Sequence, residues 1–181
     1  MATTWFCLLT SSMKTRNLET ADPKVQKAIV ESDDRSVVLV GSAILERKLD
    51  DLIEKAVVSP AAVDKLLGRT GRGGALGSFF SKIQAAWAFG LISEDEYADL
   101  ELIREIRNGF AHDVLDCDFN SQDARSKCDR LSIAWRALGT RSLAHRVAFN
   151  MEIYTLALLL TQRAQRVTPR TSPARIPLNG R

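Results

Sequence analysis

The run Ser93-Glu94-Asp95-Glu96-Tyr97-Ala98-Asp99-Leu100-Glu101-Leu102-Ile103-Arg104-Glu105-Ile106-Arg107-Asn108-Gly109-Phe110-Ala111-His112 decides the fold. Ser93 with Glu96 three residues on is a capping box, in which the serine accepts from the helix and the glutamate reaches back. Beyond it, Leu100, Ile103, Ile106 and Phe110 recur at spacings of three and four, the signature of one helical arc. At about 100° per residue, Arg107 falls inside that arc. Arg104, Asn108 and His112, spaced by four, form one ridge at its edge.

Helical periodicity continues outward in both directions. Upstream, Gly90 closes a helix that opens near Ser78. Five of the ten glycines (Gly68, Gly71, Gly73, Gly74 and Gly77) make a loop before it. Ser59-Pro60 starts a short segment over 61–67. A long helix over about 34–58 carries Val37, Val40, Gly41, Ile44, Leu45, Leu49, Leu52, Ile53 and Ala56 on its stripe. Asp22-Pro23 opens another short helix. Downstream, Ala124, Cys128, Leu131, Trp135 and Leu138 fall on one stripe, and a last helix runs over about 142–166, apolar on most sides. No alternating run lies between turn signals. The expected fold is an all-α, single-domain bundle of five or six helices with a Gly-rich loop between them. Residues 23–166 form the domain. Residues 1–22 read as a frayed or extraneous N-terminus, with Met13 a second candidate start. Residues 167–181, with Pro169, Pro173 and Pro177, read as a disordered Arg/Pro-rich tail.

With 181 residues, 45% of them hydrophobic and 26% charged, the chain can bury an ordinary core. Its longest apolar stretch, 153–160, is too short to span a membrane. Three cysteines without a C-x-x-C pair argue against a disulfide framework or zinc site and for the cytoplasm. Two histidines exclude a histidine-built metal centre, and no cofactor is expected. The net charge is +3, but residues 163–181 hold five arginines and no acid, so residues 1–162 carry −2. That body shows no nucleic-acid footprint, and direct DNA binding is not expected. A helix-turn-helix over 81–107 would start its second helix with Glu94-Asp95-Glu96, which would meet phosphate with negative charge. The glycine loop lacks a Gly-Lys pair and has Leu76 where a dinucleotide motif needs glycine, so it reads as a connector.

Two readings of the Arg107–His112 run stay open. As a site, Arg107 clamps a phosphate, His112 draws a proton from a ribose hydroxyl and Asn108 orients either, which suits metal-free RNA cleavage. As structure, Arg107 meets a carboxylate of a neighbouring helix and His112 caps the helix end. His145 reads as a surface or capping residue, and Cys117 and Cys128 as poor nucleophiles. Asp50, Asp51, Glu54, Glu94, Asp95 and Glu96 read as solvated faces and helix starts. Trp87, Phe89 and Trp135 read as core.

The segments 76–83, 88–97 and 99–113, with their Leu-Gly-Ser-Phe, Gly-Leu-Ile-Ser and Ile-Arg-Asn-Gly-Phe-Ala-His-Asp runs, resemble the mannitol operon repressor family, MltR-like. Val38 to Glu46 is similar to that family's long first helix. The resemblance covers about 35–113, and more loosely the rest to the last helix. The Gly/Arg insertion before Leu76 and the Arg-rich tail depart from it. It implies an all-helical repressor of sugar-alcohol uptake genes without an evident DNA-binding motif, acting through a protein partner. The Arg-Asn-x-x-x-His run also resembles the HEPN ribonucleases, which would make Arg107 the phosphate ligand, Asn108 its support and His112 the general base. An inactive dimeric interaction module is the third possibility. A homodimer is expected because the last helix has more apolar surface than one core covers.

Overall fold

A computed structural model describes residues 33–57, 59–71, 73–112, 118–138, 144–169 and 171. Among these every regular element is an α-helix, and they form a bundle: α1 (Asp34–Ala56), α2 (Pro60–Leu66), α3 (Phe79–Ala88), α4 (Glu94–His112), α5 (Gln122–Arg130), α6 (Ile133–Leu138) and α7 (His145–Arg166). The short helix expected at Asp22-Pro23, the N-terminal segment 1–22 and the tail from 172 lie outside the described residues. No described helix is long and apolar enough to cross a membrane.

The helix starts follow side-chain chemistry. The Asp33 carboxylate accepts from the Ser36 amide at 2.9 Å and opens α1. Ser78 and Ser81 cap α3 reciprocally. At α4 the expected capping box is present: Glu96 Oε2 accepts from the Ser93 amide at 2.7 Å, and Ser93 Oγ accepts from the Glu96 amide. Gly90 ends the α3 hairpin with φ +67°.

The first and last of these helices, α1 and α7, are packed along each other. Gly41 lets them approach, since a Cβ there would meet Ile153 at 3.1 Å. Helix α4 lies across α1, α3 leans on both, and α5 and α6 close the other side against α4 and α7. Leu45, Leu49, Leu52, Ile83, Leu100, Ile103, Leu156 and Leu160 are fully buried between them. A chain of tilted rings, Phe110, Phe119 and Phe149, fills the end near the start of α1, with centroids 5.3 Å apart.

Two sequence expectations change. Val40 is exposed and Val38 takes its place in the core. The helix expected through 124–138 breaks at Leu131 (ψ 136°) into α5 and α6. The cause is Asp99 of α4: its carboxylate accepts from the Ser132 amide, the Ser132 hydroxyl and the Ile133 amide at 2.9–3.1 Å. A carboxylate reached through space thus caps α6.

Candidate functional site

The α3–α4 hairpin carries the candidate residues. Leu100, Ile103, Ile106 and Phe110 are buried as their spacing predicts. Arg107 is turned towards α3 and α1. Its guanidinium carbon sits 6.0 Å from the centre of the Phe79 ring, and its Nη2 lies 4.0 Å from Glu46 Oε2. The expected acidic partner on a neighbouring helix is therefore there, but at the limit of ion pairing. With 37% of its side chain exposed, Arg107 is only partly buried. Asn108 and His112 are exposed on the ridge that geometry assigned them. Arg104, on the same ridge, is held by Glu101 at 2.8 Å and lies over Phe80.

The strongest buried charge in this region is one the sequence reading passed over. Lys82 of α3, 8% exposed, places its ammonium 3.0 Å from Glu46 and 2.9 Å from Asp50 of α1. Asp50 is thus no solvated acid, because α3 covers it. Helical phase held the clue: Phe79, Lys82, Ile83 and Ala86 share the buried face of α3. Glu96 is also buried, where it accepts from Arg163 Nη1 as well as capping α4. Asp95 and Glu94 do stay exposed, and Arg136 holds the Asp95 carboxyl below its ordinary range through a 2.8 Å hydrogen bond. His145 meets Asp129 at 3.1 Å near the start of α7. Burial pushes the Cys128 thiol up to about 12, with the nearby Asp129 charge adding to it, so it is a poor nucleophile. Cys117 lies outside the described residues.

The opposite face of α3 is a second surprise. Trp135 is buried as expected, but Trp87 and Phe89 are 45% and 48% exposed, and Phe80 49%. Trp87 stacks on Tyr97 of α4 with centroids 4.4 Å apart, and the Tyr97 hydroxyl takes a hydrogen bond from Gln84. Phe80, Gln84 and Trp87, at i, i+4 and i+7, form one outward stripe that runs beside Tyr97 and Arg104. We call this stripe the aromatic ledge.

No described group of histidine, cysteine and acidic side chains is arranged to hold a metal ion. The glycine loop is tied by structure: Leu76 N donates to Leu66 O at 2.8 Å, and Arg69 pairs with Glu54 and Asp64. A depression of about 680 Å³ between α1 and α7 and one of about 280 Å³ beside Gly90 both lie away from Arg107, Asn108 and His112. Compared with protein-family models, with curated proteins and with solved structures, the chain matches none.

Proposed function

We propose that the chain is a helical regulatory module that works by protein contact, an MltR-like repressor of sugar-alcohol uptake genes in its most specific form. The aromatic ledge carries this reading. Exposed Trp and Phe beside a half-buried Tyr97, with an arginine at the edge, have the composition of an interaction hot spot. The acidic start of α4, with Glu96 locked to Arg163, gives a DNA phosphate nothing to meet, which supports action through a partner rather than on the operator itself. Resemblance over 35–113 supplies the repressor identity. Cytoplasmic location and homodimerisation belong to the same proposal. The test is repression in cells: loss of the gene should raise expression of sugar-alcohol uptake genes, and Trp87→Ala or Phe80→Ala should do the same while the variant chain stays folded, its melting temperature lowered by only a few degrees. Repression unchanged in both variants would remove the ledge from the mechanism.

Metal-independent RNA cleavage is the second reading, favoured by Asn108 and His112 standing exposed on one ridge beside a loosely held Arg107. Incubation with structured RNA in EDTA decides it. Cleavage present in the parent and lost in His112→Ala supports the enzyme, and no cleavage in the parent ends that reading.

A further inference from the structure

We infer that the depression between the later halves of α1 and α7 is a binding site for an uncharged polyol, a small molecule with several hydroxyl groups and no net charge. The site is separate from the aromatic ledge, and it rests on the repressor reading only where it makes that polyol the signal the repressor reads. The two helices run parallel. Asp34 meets Arg146 near their starts, Gly41 meets Ile153 further along, and near their ends Lys48 and Lys55 line one depression with Thr161 and Gln165. Gly41, Lys48 and Lys55 are seven apart, so their line along α1 drifts by only about 20° per heptad. At Gly41 the seam closes, since a Cβ there would meet Ile153 at 3.1 Å. One and two heptads on, lysines take that place, and the seam opens into about 680 Å³, a volume in the range of small-molecule sites.

Charge at the site selects against ions. Arg47, Lys48 and Lys55 bring three positive charges to the lining, and Asp51 and Glu54 bring two negative ones. Both helices end here, at Ala56 and Arg166, and each C-terminus adds about half a negative charge. Arg69, beside Glu54, is offset by Asp64, which it also holds. The balance is close to zero, so neither a phosphate nor an ammonium gains from the local field. Among the described lining residues only Ala164 and Val167 are apolar and none is aromatic, so an apolar or flat ligand finds little to cover.

Hydrogen bonding then decides the class. Ammonium and guanidinium groups only donate, carboxylates only accept, and a hydroxyl does both. The donors Arg47 and Lys48, the acceptors Asp51 and Glu54 and the donor Lys55 follow one another along α1, and Gln165 on α7 can do either. A chain of hydroxyls can meet each of them in turn. The Thr161 hydroxyl donates to Ala157 O at 2.7 Å, which leaves its oxygen as an acceptor. Lys48 is only 9% exposed, so the lining includes a charged group fixed by burial as well as surface side chains. Arg47 and Asp51, 3.3 Å apart, are 67% and 36% exposed. Solvated pairs of this kind hold weakly, so a hydroxyl can come between them at little cost.

Equilibrium dialysis of the full chain against radiolabelled hexitols, sorbitol and mannitol in parallel, tests this at millimolar concentration, far below the molar range in which polyols act as excluded osmolytes. Saturable binding of one hexitol per chain is expected, with the hexitol phosphate and the zwitterion glycine betaine about tenfold weaker as competitors. Lys48→Met, which keeps the buried stem, and Lys55→Ala, an exposed change that spares the core, should each weaken binding about tenfold, the loss of one hydrogen bond to a charged group. Asp51→Asn with Glu54→Gln leaves the lining positive and should move the preference to the phosphate. Absence of saturable binding by the parent chain overturns the proposal. So does tighter binding of the phosphate or of betaine by the parent chain, since the lining then selects an ion. Binding that survives Lys55→Ala and the paired Asp51→Asn, Glu54→Gln change also overturns it, since the ligand then sits elsewhere. Failure of the repressor reading shows separately, as hexitol binding intact while loss of the gene leaves expression of sugar-alcohol uptake genes unchanged.

Discussion

Asp99 is buried, and its carboxylate serves three donors of the Ser132–Ile133 turn. Hydrogen bonds to a charged acceptor are worth about 1.5–3 kcal/mol each, and loss of the acceptor strands the donors. Asp99→Ala should therefore lower stability by roughly 3 kcal/mol or more, read as a fall of about 2–4 °C in Tm per kcal/mol. Lys82 and Arg107 make a matched pair of tests. Removing Lys82 takes the buried cation from Asp50 and leaves Glu46 only Arg107 at 4.0 Å, so Lys82→Ala should cost about 3–5 kcal/mol. Arg107, at 4.0 Å from Glu46 and partly solvated, should cost about 1 kcal/mol or less on truncation. Helical phase alone put Arg107 on the buried arc. The outcome differs because a long side chain carries its charge past the arc to the rim, which Cα phase does not encode. Cys128 gives a pH signature. Its thiol titrates near 9 when unfolded and about 12 when folded. Between those values only the unfolded chain releases the proton, so stability falls as pH rises, by at most about 1.4 kcal/mol per unit. Below that window the contribution is intact. Urea midpoints at pH 8 and pH 10.5 should drop less in Cys128→Ala than in the parent chain.

Elements were legible where capping and periodicity agreed. Ser93 with Glu96, Ser78 and Gly90 set boundaries that the structure keeps, because those signals act within one turn of the chain. The break between α5 and α6 was not legible. Leu131 and Trp135 keep a helical spacing, and the carboxylate that parts them comes from 33 residues away. The aromatic ledge was missed for a related reason: Trp87 and Phe89 are apolar enough for a core, and only the placement of α3 at the edge exposes them. The glycine loop offers an element-scale test. A Cβ at Gly74 would lie 2.0 Å from Leu66 O, whereas one at Gly71 meets nothing within 4 Å and carries only the strain of φ +81°. Gly74→Ala should cost roughly 2–3 kcal/mol and Gly71→Ala about 1 kcal/mol, ranked by thermal melting.

At the scale of the whole molecule, α7 leaves Val147 exposed and Leu158 and Leu159 half-buried. A homodimer should give about 40 kDa by light scattering at micromolar concentration, twice the 20.1 kDa of one chain. A reading of 20 kDa would leave that surface to other partners.

The pairing of α1 with α7 also has a consequence for synthesis. Gly41 leaves the ribosome 112 residues before Ile153, against which it packs, and at 5–20 residues per second that is roughly 6–22 s. Throughout that delay, the apolar flank from Val37 to Ala56 has only the α3–α4 hairpin to cover it. The nascent chain is therefore a client for holding chaperones until its last helix emerges, and ribosomes stalled before residue 145 should carry such a chaperone while those stalled well beyond residue 166 should not.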